Sequence, residues 1–249
     1  ANQDKNLKYP IKLWYKRSIP EYATNLFACG KDAGDWMFGG ASYQIINNAI
    51  DVAAYTYDPT KRQEMRRQLG LENEFTIGHV GRFSQPKNHP FLLDIFTSLL
   101  KKEPDAALLL VGDGEGMPKI QAKAQELGIA EHVCFLGVRS DVADLMQAMD
   151  VFVFPSLYEG LPVTMVEAQA SGLPCIISDK VPPECILTDG LVNVMPLSAS
   201  PEAWAEKILT MRAVPRTDRR EEIAAHGFDI CTEAVKLQEF YLNAYEQNC

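Results

Sequence analysis

Asp150-Val151-Phe152-Val153-Phe154-Pro155-Ser156-Leu157-Tyr158-Glu159-Gly160-Leu161-Pro162-Val163-Thr164-Met165-Val166-Glu167-Ala168 holds a strand, a loop and the start of a helix. The apolar run Val151 to Phe154 reads as a buried strand that ends at Pro155. The alanine-rich segment that follows, closed by Gly172, reads as a helix with a C-terminal stop, and Pro162 suits its first position because a missing N–H costs nothing there. Glu159 therefore lies on the loop leaving the strand, and Glu167 about one turn into the helix. Between them, Gly160 and the amides of the helix start form a positive end suited to phosphate, while the two carboxylates accept hydroxyls. That is the local chemistry a nucleotide-sugar site requires.

The same strand-then-helix alternation runs outward in both directions. Phe75 to Val80, Ala106 to Val111, His132 to Leu136, Val151 to Phe154 and Cys175 to Ser178 read as strands, and Val192 to Met195 adds a further short one. Pro90 to Lys102, Met117 to Leu127, Asp141 to Met149 (capped by Asp141 or Ser140), Pro162 to Ala170 and a segment from near Pro201 read as helices. Short apolar strands separated by helices specify an α/β, doubly wound parallel sheet covered on both faces. Residues 11 to 50 read as helix, short strand, helix and strand, too little to close a core. A linker is expected from Asn47 to Thr60, and a long helix from Glu233 to Gln247 with no strand after it. The expected division is 1–50 as an amino-terminal remnant, 51–215 as the sheet domain and 216–249 as terminal helices.

Composition narrows the function. The chain has 249 residues, 47% of them hydrophobic and 23% charged, with a formal net charge of -9. That balance belongs to a globular protein and argues against a nucleic-acid binder, which needs clustered positive charge. Its six cysteines form no C-x-x-C pair and read as reduced thiols of a cytoplasmic protein. The four histidines show no zinc-ligand spacing. No run is long enough to cross a bilayer, and no signal-peptide pattern opens the chain, which starts without methionine.

The first strand ends in Val80-Gly81-Arg82-Phe83-Ser84-Gln85-Pro86-Lys87-Asn88-His89. In a sheet ordered 3-2-1-4-5-6, ligands bind beyond the carboxyl ends of the first and fourth strands, where the order switches. The loop carrying Arg82 and Lys87 would there face the loop carrying Glu159. A pyrophosphate between them would meet both cations and the amides of Gly160 and Leu161, Glu167 would accept the hydroxyls of a ribose, and Glu159 a hexose hydroxyl. Val111-Gly112-Asp113-Gly114-Glu115-Gly116 is near a dinucleotide fingerprint, but its glycine spacing departs from G-x-G-x-x-G, so it reads as a tight turn at the edge of the site. The loop Gly137-Val138-Arg139 should also reach the crevice, its backbone placed to read a base edge. No D-x-D pair for a divalent ion is present, so no essential metal or other cofactor is expected.

Taken together, Gly81-Arg82-Phe83 with Lys87-Asn88, the Gly112 turn, Phe135-Leu136-Gly137 and the Glu159-x7-Glu167 element resemble the donor-binding half of retaining glycosyltransferases of family 4. The wording Glu159-Gly160-Leu161-Pro162 with Glu167-Ala168-Gln169 looks most like bacterial capsule and exopolysaccharide enzymes. The resemblance covers roughly Ile45 to Met211 and implies a GT-B architecture of two Rossmann-like domains, of which this chain would carry mainly the C-terminal one. It implies a nucleotide-diphosphate sugar, usually a UDP-sugar, and transfer with retention to a carbohydrate or lipid-linked saccharide. By matching position it implies that Arg82 and Lys87 contact the diphosphate, Glu167 the ribose, and Glu159 with the Gly160 and Leu161 amides the sugar; Glu159, Arg82 and Lys87 would be catalytic. Gly81, Gly112, Val138 and Arg139 complete the expected donor site. Asn47 to Asp51 resembles the interdomain junction of such enzymes, and the last helix the one that crosses back to the acceptor domain. Two other readings stay open: a non-catalytic nucleotide-sugar binding module, and a sugar-nucleotide epimerase or phosphorylase of the same architecture.

The amino terminus interleaves Lys5, Lys8, Lys12, Lys16 and Arg17 with Tyr9, Trp14 and Tyr15. Such a helix could rest on an anionic membrane at the inner face of the cell, or be an ordinary helix with one solvated face. Residues 11 to 50 and the terminal helix, left without partners, would favour self-association.

Overall fold

The computed structural model describes residues 9 to 246, with side chains from residue 13 onward. Asp4, Lys5 and Lys8, the side chains of Tyr9 and Lys12, and Gln247 lie outside the described residues. The chain forms two compact units, Ala1–Ile50 with Gly227–Cys249, and Asp51–His226. The smaller unit contains α1 (Tyr9–Tyr22), β1 (Phe27–Ala28), α2 (Lys31–Phe38) and β2 (Gln44–Ile45). The larger one runs α3 (Val52–Tyr55), α4 (Pro59–Leu69), β3 (Thr76–Val80), α5 (His89–Leu100), β4 (Ala107–Val111), α6 (Met117–Glu126) and β5 (Val133–Gly137). It continues through α7 (Val142–Ala148), β6 (Val151–Phe154), α8 (Val163–Ala170), β7 (Cys175–Ser178), β8 (Val192–Met195), α9 (Pro201–Met211) and α10 (Arg220–Ala225). The chain then returns to the smaller unit in α11 (Ile230–Glu246).

The larger unit is built on a six-stranded parallel sheet in the order β5-β4-β3-β6-β7-β8. The first strand, β3, is central. The chain winds outward through β4 to β5, then crosses back to lay β6 on the other side of β3, so the switch point falls between β3 and β6. Side chains alternate between two cores, as period-2 strands require. Ile77, Leu108, Leu110, Val151 and Val153 pack with Phe96 of α5 and Trp204 of α9 on one face. Leu109, Val111, Phe152 and Phe154 pack with Leu145 of α7 and Met165 of α8 on the other.

Charge closes the amino ends of the central strands. Asp150 accepts the Thr76 amide at 2.8 Å and pairs with Arg62 at 2.5 Å and Arg66 at 3.3 Å, both from α4. Arg216 donates to Gln147 O, Met149 O and Ser171 O at 2.7 to 2.9 Å. The segment from 216 to 226, expected to go with the terminal helices, thus lies in the larger unit.

Three local expectations are corrected. The stretch expected as a linker over Asn47 to Thr60 contains α3 and the start of α4. Asp58 is the N-cap of α4, accepting from Thr60 N at 2.8 Å and Lys61 N at 3.3 Å, with Pro59 just inside, so the Asp-Pro-Thr taken as a linker end is a helix start. Pro162 stands one position earlier than expected: its ψ of 110° is extended, and α8 starts at Val163. Asp141 makes no capping bond to α7, because its carboxylate is engaged by Arg139 at 2.7 and 2.5 Å.

The smaller unit buries little. Among its described residues Gly34, Ile50 and Phe228 are buried, none of them on α11, while Trp14, Tyr22 and Tyr245 are exposed. Among the described residues, no helix is long and apolar enough to cross a membrane.

Candidate functional site

Two loops meet at the carboxyl ends of β3 and β6, as the sheet order requires. After β3, a single 3-10 turn (Gln85–Lys87) ends at Asn88 in a left-handed conformation with φ 54°. Its groups tie it to the loop after β6: Leu157 N donates to Pro86 O at 2.8 Å, and Asn88 Nδ2 to Pro155 O at 3.1 Å. This zipper sets Lys87 Nζ 2.9 Å from Glu159 Oε1, with both side chains largely buried, and 4.5 Å from the centroid of the Phe154 ring. The two residues that the sequence assigned to opposite parts of one ligand are therefore ion-paired with each other. Arg82, on the same loop, is exposed. The N–H groups of Gly160 and Leu161, on the loop leading into α8, have no acceptor among the described residues and stand as free donors next to Glu159.

Glu167 lies one turn into α8, as expected, but is not free: the Tyr55 hydroxyl donates to its Oε1 at 2.8 Å. Burial pushes the Glu167 carboxyl above its usual value, and the Tyr55 hydrogen bond opposes that shift. The Tyr55 hydroxyl is itself pushed strongly up by burial and by the Glu167 charge, so it remains a donor. Sequence reasoning missed Tyr55 because it fell in the supposed linker.

Beneath Lys87 lie two further residues that spacing alone did not bring together. His79 of β3 and His89 of α5 meet edge to face, centroids 4.8 Å apart, and His89 stacks on Phe83 at 4.2 Å. His79 Nδ1 bonds Val153 O at 2.9 Å, while Nε2 of both rings is buried without a partner. Burial, with the nearby Lys87 charge, pushes His89 down to about 4 and His79 well below its usual range. Both rings are neutral near pH 7. The signal was the histidine at each end of the Gly81–Lys87 loop.

The Gly112 turn packs directly on this loop. Gly112 has φ 130°, and a Cβ there would lie 2.2 Å from Gly81 O; Cβ atoms on Gly114 and Gly116 would collide with Phe83 backbone. Phe83 N donates to Asp113 O at 2.9 Å and Gly116 N to Phe83 O at 3.0 Å. Close backbone approach, rather than a dinucleotide cradle, explains these glycines. A cavity of about 430 Å3, lined by Arg82, Phe83, Ser84, Gln85, Gly114, Glu115, Gly116 and Lys119, opens between the two loops. At the end of β5, Val138 is exposed and Arg139 is held by Asp141.

A match to the family described as glycosyl transferases group 1 spans residues 61–226. The chain belongs to this family. The chain is 39% identical over 238 residues to the putative glycosyltransferase EpsF of Bacillus subtilis, covering 92% of this chain and 62% of that protein. It is 28% identical over 211 residues to the Escherichia coli UDP-Gal:alpha-D-GlcNAc-diphosphoundecaprenol alpha-1,3-galactosyltransferase, covering 80% of this chain and 54% of that one. Its fold matches Anabaena HepE in complex with UDP-glucose, with a TM-score of 0.74 and 25% identity, over 90% of this chain and 65% of HepE. This group 1 chain thus spans about three fifths of the length of these relatives, and its sheet is that of a GT-B glycosyltransferase.

Proposed function

We propose that this glycosyltransferase moves a hexosyl unit from a nucleotide-diphosphate sugar, a UDP-sugar, with retention, to a carbohydrate or lipid-linked saccharide during surface polysaccharide synthesis. In this reading the chain carries the donor-binding, C-terminal part of a family 4 enzyme, working at the cytoplasmic side of the membrane. The observation that carries it is the meeting of Lys87, Glu159 and the free amides of Gly160 and Leu161 at the switch point, with Glu167 one turn into α8. The UDP-glucose complex of HepE and the UDP-galactose named for the E. coli relative support the choice of donor.

The chemistry follows from the geometry. Arg82, Lys87 and the Gly160 and Leu161 amides stabilise the charge that develops on the departing diphosphate. Lys87 must first exchange Glu159 for a phosphate oxygen, which releases Glu159 to accept from the donor sugar. Glu167 takes the ribose. No divalent ion is assigned a part.

Arg82→Ala should weaken UDP binding by about 1 to 3 kcal/mol, the loss of a charge-assisted contact. Unchanged affinity in calorimetry would remove Arg82 from the diphosphate. Incubation with a labelled UDP-sugar separates transfer from epimerisation: free UDP supports the proposal, and a new nucleotide sugar opposes it.

A further inference from the structure

We infer that Tyr55 is a positioning residue for Glu167, and through it makes the donor site prefer ribose to 2′-deoxyribose. The inference rests on the donor-site reading given above. A carboxylate has about four acceptor positions, two on each oxygen. Tyr55 takes one of them on Glu167 Oε1 at 2.8 Å. What remains, all of Oε2 and one lone pair of Oε1, matches two vicinal hydroxyls. Without that bond the half-buried carboxylate would lose its fixed plane and one of its compensating donors.

The way Tyr55 is held favours this role over simple packing. It ends α3, a four-residue helix too short to stand alone. Asp51 Oδ1 caps that helix, accepting from Ala53 N and Ala54 N at 3.1 Å. At the other end Gln147, fully buried, spends its whole side-chain amide on the same segment. Its Nε2 donates to Tyr55 O and Thr56 O at 3.3 Å, and its Oε1 accepts from Asp58 N at 3.1 Å. Backbone groups on both sides of Tyr55 are thus pinned, and its hydroxyl is delivered to one oxygen of one side chain.

The test is calorimetric titration of the full chain with UDP and with 2′-deoxy-UDP. The wild type should bind UDP about tenfold or more tightly, the loss of one charge-assisted hydrogen bond. Tyr55→Phe keeps the ring and removes only the hydroxyl; it should weaken UDP more than the deoxy analogue and bring the ratio to within about threefold. Asp51→Ala, a change at an exposed residue, loosens the segment and should shrink the ratio in the same direction by less. A ratio unchanged in both variants, or an equal loss for both nucleotides, overturns the role of Tyr55. Glu167→Gln separates the two levels of the argument. If it abolishes the preference while Tyr55→Phe keeps it, the inference about Tyr55 fails and the donor site stands. A wild-type protein with no preference, or one that Glu167→Gln leaves intact, removes Glu167 from the ribose and both fall.

Discussion

Replacing Glu159 by glutamine should tighten the binding of UDP and shrink the advantage that UDP-glucose holds over it. Lys87 Nζ and Glu159 Oε1 lie 2.9 Å apart, with side chains 16% and 12% exposed. At an effective dielectric constant near 20 their attraction is about 6 kcal/mol, most of it offset by the cost of desolvating both ions. The net worth of such a charge-assisted bond is about 1.5 to 3 kcal/mol. In the proposed exchange, a diphosphate that takes Lys87 displaces Glu159 and surrenders that amount. Glu159→Gln removes the competing anion, so UDP should bind roughly 10- to 150-fold more tightly. The donor sugar loses its charged acceptor in the same variant, so the advantage of UDP-glucose over UDP should shrink. Calorimetry with both ligands, at equal ionic strength, reads the two effects separately. Weaker or unchanged UDP binding in Glu159→Gln would refute the idea that Lys87 exchanges one anion for another.

Other consequences concern stability. Asp150→Ala leaves Arg62 and Arg66 facing each other without their anion, which should cost about 3 kcal/mol and lower the thermal midpoint by roughly 6 to 12 °C; a shift under about 2 °C would mean the arginines find other acceptors. Gly112→Ala places a methyl 2.2 Å from Gly81 O at a φ of 130°, so strain and overpacking together should cost about 2 to 6 kcal/mol in urea denaturation. His89, pushed from 6.5 to about 4, binds its proton in the unfolded chain before the folded one does. Stability should therefore fall as pH drops from 6.5 towards 4, with His89 contributing about 3 kcal/mol. His89→Phe, compared by denaturation at pH 7 and 4.5, should show a shallower loss than wild type, and an equal loss would contradict the burial argument.

The sequence by itself determined the α/β sheet. Runs such as Val151 to Phe154 and Leu108 to Val111 contain no polar residue and are too short and too closely bounded by Pro or Gly for a helix, which leaves strands covered on both faces. That the Arg82–Lys87 and Glu159 loops face each other followed from the sequence only on the condition of a 3-2-1-4-5-6 strand order, which the sheet has. Helix starts were less legible: Asp58-Pro59 reads equally as a loop or a cap until the chain beyond it is seen to coil. What only the tertiary structure decided was pairing. Lys87 with Glu159, Tyr55 with Glu167, His79 with His89 and Gly112 with Gly81 join residues between 10 and 112 positions apart. Sequence periodicity reports which face of its own element a residue occupies; it carries no term for the distance between two side chains on different elements. That distance is set by how the helices settle on the sheet, and it turned Glu159 and Glu167 from open acceptors into carboxylates already held by Lys87 and Tyr55.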